Sequence, residues 1–325
     1  MPAERMNGFR IARFFGFEVD VDPSWLIVFL LVLWTFAEAV FPARVPGLAA
    51  GIYAVMALVG AALFFGSVLL HELAHSAMAR ARGVEVEGIT LFIFGGMARM
   101  RSEVSGPKDE FLITVVGPIS SALIGFMLLG AAWIARSAGL PRAVGSVADY
   151  LAGLNFLLAV FNLVPGFPLD GGRLLRSVIW HFSGDLRKAT RWASLTGRTF
   201  GFVLIGLGLL YLFDSLVSGL WLILIGWFLA RAAAASYGHV VLRGELAAVT
   251  AAQVARPVAG TSPLGMAPRA GRGATVEPGA SLSEVIAKLE EENGDQVFVI
   301  ESGRPVGVIT RADIVAWLRD RRGTD

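Results

Sequence analysis

The chain has 325 residues, 55% of them hydrophobic and 17% charged, with a mean hydropathy of +0.65, a balance that places it in a bilayer and excludes an ordinary soluble enzyme. The net charge is only +2 and the Arg residues are scattered, so no basic face for nucleic acid is present. Cysteine is absent, which excludes disulfides and thiolate ligands and leaves His, Asp and Glu for any metal.

The first 22 residues mix Arg5, Arg10 and Arg13 with Glu18, Asp20 and Asp22, and no small-residue cleavage site follows the first apolar run, so no cleaved signal peptide is expected. Crossing the hydrocarbon core takes about 20 apolar residues. Six segments meet that demand: 24–41, 51–81, 110–136, 147–164, 192–213 and 216–235. An even number puts both termini on one side. Arg5, Arg10, Arg13, Arg80, Arg82, Arg99, Arg101, Lys108, Arg173, Arg176, Arg187, Lys188 and Arg191 fall on that side, against Arg44, Arg136 and Arg142 opposite. The positive-inside bias then predicts a multi-pass protein of the cell membrane with cytoplasmic termini.

Two segments interrupt the helices. Residues 84–100 alternate like strands and predict a hairpin turning at Gly95-Gly96 on the cytoplasmic side, with an edge open to another strand. Pro165 and Pro168 break the fourth helix at membrane depth, where irregular backbone is tolerated only beside protein or a wet cavity. The chain is therefore divided into a transmembrane domain over 1–240, a Pro- and Gly-rich linker over 241–273 and a small α/β module over 274–325. In the module, 281–292 and 312–319 read as helices, and 297–300 and 306–309 as strands. A unit of this size is marginal alone and is expected to pair with another copy.

His71-Glu72-Leu73-Ala74-His75 sets two imidazoles at i and i+4 on one helical face, the spacing that ligates zinc while the intervening Glu polarises a water. The preceding run 61–70 is apolar, and each ionisable side chain at the bilayer centre costs roughly 2.5 to 3.5 kcal/mol. A dication compensates three of them at once. Catalytic zinc usually keeps three protein ligands, so a third is sought elsewhere. Asp170, in the helix break beside Gly171-Gly172, is one candidate, with a helix N-cap as its alternative role. Glu85 and Glu87 are rivals whose spacing fits a half-exposed strand, while His181 and His239 read as surface residues. Asn162, one turn before the break, suits either an oxyanion donor or an interhelical hydrogen bond; Asn155 lies on the same face, and Gly117-Pro118 reads as a kink or a point of close packing.

The apolar helix carrying His71 to His75, together with Asn162-Leu163-Val164-Pro165-Gly166-Phe167-Pro168-Leu169-Asp170-Gly171-Gly172, resembles the site-2 protease family of intramembrane zinc metalloproteases, over roughly residues 8–235. Phe94-Gly95-Gly96-Met97 is similar to the family's hairpin. The resemblance implies one zinc ion per subunit held by His71, His75 and Asp170, and Glu72 as general base. It also implies that the hairpin, with Gly95 and Gly96, and the segment bearing Asn162, Pro165 and Pro168 receive an unwound stretch of a single-span membrane protein. One departure is that Gly117-Pro118-Ile119 is followed by Ser120 and Ser121, where the family commonly carries an Asn.

The C-terminal segment Gly307-Val308-Ile309-Thr310-Arg311-Ala312-Asp313 is similar to a CBS motif, which implies that Thr310 and Asp313 meet the ribose of ATP or AMP, and that two chains join as a homodimer through these modules. Residues 249–261 read as the remnant of a second copy. The expected fold is thus a polytopic α-helical membrane protein of six transmembrane helices and a membrane-associated hairpin, followed by a soluble α/β CBS-type module. The rival readings are a zinc transporter or metal sensor, and a membrane scaffold that displays the module.

Overall fold

The computed structural model describes residues 9–14, 16–93, 95–100, 104–257, 274–292 and 294–322. Arg5 and Arg101 of the charge tally, Phe94 of the hairpin and residues 258–273 of the expected linker lie outside them. The chain divides near Tyr237 and Gly238 into two units.

The first unit opens with a hairpin that the sequence reading did not anticipate. Strands β1 (Phe9–Phe14) and β2 (Phe17–Val21) pair antiparallel, with Phe14 opposite Phe17. In β2, Phe17, Val19 and Val21 are buried and Glu18 and Asp20 are not, the alternation of a half-buried strand. Asp22 then caps α1 (Pro23–Thr35) by accepting from the Ser24 amide at 2.9 Å, and the Ser24 side chain and amide together hold its carboxyl below the usual carboxylate range. Beyond a π turn at Phe36–Val40 and the short α2 (Phe41–Arg44) comes α3 (Ala50–Ala81).

The hairpin expected over 84–100 is present as β3 (Val86–Phe92) and β4 (Gly95–Met100), with two differences. It is not alone: β2 joins β3 in parallel, making a sheet of order β1-β2-β3-β4 whose open edge on this side is β4. Nor do Gly95 and Gly96 form the turn. They open β4, opposite Phe92 and Leu91, and only Gly95 has a positive φ (+131°). Arg99 of β4 ties the sheet together, reaching Asp20 Oδ2 and Thr90 Oγ1 at 2.6 Å each. The inner face, Phe17, Val21, Ile89 and Leu91, packs with Leu73 of α3, so the sheet sits directly over the helix that carries the two histidines.

The remaining helices are α4 (Pro107–Ser137), α5 (Arg142–Asn162), α6 (Asp170–Ser183), α7 (Leu186–Tyr211) and α8 (Leu216–Ala248). Among the described residues, six helical stretches are long and apolar enough to cross a membrane: Pro23–Arg44, Ala50–Ala81, Pro107–Ser137, Arg142–Asn162, Leu186–Tyr211 and Leu216–Ala248. They match the six expected segments, although α8 runs well past residue 235. Helix α6 is a shorter seventh element that packs against α4 and α7. Exposed Leu, Ile, Val, Phe and Trp cover the outside of the spanning helices, as lipid contact requires.

In the second unit, residues 249–257, part of the segment expected as linker or remnant, pack with the module. Val249 and Ala251 lie in its core; α9 (Ala251–Val254) is fixed by a Thr250/Gln253 capping box, and β5 (Arg256–Pro257) pairs with β8 (Arg304–Thr310). The other elements are β6 (Ala274–Val276), α10 (Leu282–Glu291), β7 (Gln296–Glu301), β8 (Arg304–Thr310) and α11 (Arg311–Arg322), with sheet order β5-β8-β7-β6. Leu282, Val285, Val297, Val299 and Ile309 fill the space between sheet and helices.

Candidate metal centre

One helical turn apart on α3, His71 and His75 point the same way, each only 4% exposed. Their Nε2 atoms are 3.2 Å apart. Asp170 reaches them from 95 residues further along the chain: α5 ends at Asn162, the Pro-rich stretch makes the turn, and α6 begins with Asp170. The N-cap position belongs to Leu169, and the Asp170 side chain does not cap the helix. Its Oδ2 lies 3.1 Å from both imidazole Nε2 atoms instead.

The chemistry of these donors fits a zinc ion. His75 Nδ1 is 2.7 Å from the backbone carbonyl of Ile113, which only accepts, so that nitrogen carries the proton and Nε2 turns a lone pair to the centre. On the other ring, His71 Nδ1 is 2.9 Å from Ser121 Oγ. Two nitrogen lone pairs and a carboxylate oxygen aimed at one point repel unless a cation sits among them, and N, N, O is a zinc donor set. Helix α4 closes the back of this pocket at Gly117, where a Cβ would stand 2.2 Å from His75 Nε2 and 2.8 Å from His71 Nε2.

Glu72 follows His71 on α3 and faces β4. A Cβ on Gly96 would lie 2.3 Å from Glu72 Cγ and 2.9 Å from its Cδ, so the missing side chain of Gly96 makes room for the carboxylate arm. The glycine pair read as a turn thus includes the residue that seats Glu72.

The rival ligands lie elsewhere. Glu85 and Glu87 are exposed near the start of β3, His181 and His239 are exposed on α6 and α8, and among the described residues the group able to hold a metal is His71, His75 and Asp170. Asn162 is half-buried at the end of α5, Pro165 and Pro168 are exposed in the break, and Asn155 is buried with its amide donating to the Leu151 carbonyl at 2.9 Å. In the second unit Thr310 and Asp313 engage each other: the Thr310 hydroxyl and amide donate to Asp313 Oδ2 at 2.7 and 3.0 Å, and Arg256 pairs with Oδ1. The bonds of Ser121 and of the Ile113 carbonyl to the histidines were missed in the sequence, where Ser121 stood out only as a departure from the family's Asn. Gly117-Pro118 had been read as a kink or close packing, and Gly117 does pack closely, against both imidazoles.

A model of peptidase family M50 matches residues 59–146 and 133–205, and a CBS domain model matches 272–320. A Synechocystis sp. protein named as a zinc metalloprotease is 36% identical over 261 residues, 80% of this chain and 68% of that one. A Mycobacterium tuberculosis protein named as the zinc metalloprotease Rip3 is 41% identical over 224 residues, 69% of this chain and 57% of that one. A zinc metalloprotease of Methanocaldococcus jannaschii is 38% identical over 149 residues, 46% of this chain and 42% of that one. A solved site-2 protease from the same archaeon aligns at a TM-score of 0.48 and 26% identity, covering 71% of this chain and 95% of that one. The chain belongs to peptidase family M50, the site-2 proteases, and carries a CBS domain in its C-terminal part.

Proposed function

We propose that this chain is a zinc endopeptidase that hydrolyses peptide bonds in or near the transmembrane segment of single-span membrane proteins. The observation that carries the reading is the meeting of His71, His75 and Asp170 within 4.8 Å, with Glu72 held between their helix and an edge strand. One zinc ion held there by the two Nε2 atoms and Oδ2 would acidify a water and polarise a peptide carbonyl. Glu72 accepts the proton from that water and returns it to the leaving amine. The Ile113 carbonyl keeps the His75 imidazole turned inward.

A substrate helix hides its carbonyls in its own hydrogen bonds, so it must unwind before it is cut. Among the described residues strand β4 has no partner on its outer edge, where an extended segment can add, and Gly96 brings that edge against Glu72. Asn162, Pro165 and Pro168 border the break that delivers Asp170, and we assign them to the opposite wall, with the Asn162 amide as a donor to the oxyanion. The Lys and Arg bias supports cytoplasmic termini and a site nearer that face.

The CBS domain supports a regulatory role through ATP or AMP at Thr310 and Asp313, or through pairing of two chains. The domain division proposed is a membrane protease up to residue 240 with the regulatory module after it. The test is cleavage of single-span candidate substrates in detergent with zinc, by wild type and Glu72→Gln, with and without nucleotide. Glu72→Gln is expected to keep its zinc and lose activity by about 10²-fold or more. Cleavage at the wild-type rate contradicts the assignment of the base.

A further inference from the structure

Ser121 occupies a place that nothing in the reaction demands, and its surroundings explain it. It lies on α4, one turn beyond Gly117, fully buried against α3. Its Oγ is 2.9 Å from His71 Nδ1, across 50 residues of sequence. Ile113, Gly117 and Ser121 succeed each other at four-residue steps, so a single stripe of α4 faces both histidines: a carbonyl for His75, an empty space for the two Nε2 atoms and a hydroxyl for His71.

We infer that Ser121 is a positioning residue for zinc: its hydroxyl accepts the Nδ1 proton of His71 and so holds the ring in the tautomer and rotation that present Nε2 to the metal. The backbone already performs this service for His75 through Ile113. No carbonyl lies in the corresponding bond to His71, and the side chain at 121 takes its place. A hydroxyl accepts as well as donates, so it matches an N–H where a methyl cannot. In an apolar helix interface an unmatched Nδ1–H would favour the other tautomer or a turned ring, either of which takes the lone pair away from the centre. Ser120, its neighbour, makes a useful contrast: its hydroxyl bonds the Gly117 carbonyl at 2.7 Å and has no bond to either histidine.

The inference rests on the reading of His71 as a zinc ligand, and the experiment separates the two. Zinc affinity of the full chain in detergent is measured by competition with a chromophoric chelator for wild type, Ser121→Ala, Ser121→Thr, Ser120→Ala and His71→Ala, alongside the thermal midpoint of each zinc-free protein. Ser121→Ala is expected to weaken zinc binding by about 10- to 100-fold, as loss of an outer partner does, with a zinc-free midpoint like that of wild type. Ser121→Thr restores part of the affinity, and Ser120→Ala leaves it unchanged. Wild-type affinity in Ser121→Ala overturns the inference, as does an equal loss in Ser120→Ala, or a loss matched by a lowered zinc-free midpoint. If His71→Ala binds zinc as tightly as wild type, the ligand assignment itself fails.

Discussion

The carboxylate of Glu110, wholly buried in the first turn of α4, takes the guanidinium of Arg176 from α6, with Nε 2.8 Å from Oε1. Arg173 Nε stands 3.9 Å from the same oxygen, while Oε2 is buried with no hydrogen-bond partner among the described residues. Since α6 begins at Asp170, this pair fastens Asp170 to the helix that backs His71 and His75.

Breaking that pair from one side should be costly. Arg176→Met leaves a buried carboxylate with only the more distant Arg173, and a loss of about 3 kcal/mol is expected. Replacing both partners, Glu110→Leu with Arg176→Met, should recover most of it, because neither charge then has to be desolvated. Equilibrium unfolding of wild type and the two variants in detergent measures the difference.

Two alanine substitutions should separate metal binding from proton transfer. At Gly117 the added methyl meets both imidazole Nε2 atoms, so Gly117→Ala should lower zinc content and cleavage together. At Gly96 it meets Glu72 Cγ and Cδ, so Gly96→Ala should retain zinc and lose turnover. Zinc stoichiometry and cleavage rate, read on the same preparations, distinguish the two patterns.

In the second unit, burial pushes the Asp313 carboxyl up, but the bonds from Thr310 and Arg256 outweigh it and leave the group below its ordinary value of 3.8. A depressed folded value contributes stability that is present above the unfolded pKa and disappears as pH falls through the folded one. The module should therefore lose stability below about pH 4. Asp313→Asn should remove that component and flatten the acid limb, which amide exchange of β8 and α11 in the full chain can follow across pH.

The six spans were legible because hydropathy over some twenty residues is a local property, and the His71, His75 spacing because helical geometry makes it local too. Strands β1 and β2 escaped notice because Arg10, Arg13, Glu18 and Asp20 made the segment read as a charged terminus, although Phe17, Val19 and Val21 alternate as a half-buried strand does. Residues 249–257 read as a linker or the remnant of a second copy since neither a four-residue helix nor a two-residue strand has a pattern of its own; each exists through its contacts with the module. The contacts that Ser121 and Gly117 make with the histidines were out of reach for a different reason, although close packing was one reading of Gly117-Pro118. What they do depends on the distance between α3 and α4, and no periodicity within either helix encodes it.

Zinc K-edge X-ray absorption of the purified full chain tests the central claim most directly. The account predicts a shell of nitrogen and oxygen neighbours at about 2.0 to 2.2 Å, with outer-shell scattering from two imidazoles in wild type and one in His75→Ala. Bound zinc without imidazole scattering, or with the same imidazole count in His75→Ala, would contradict it.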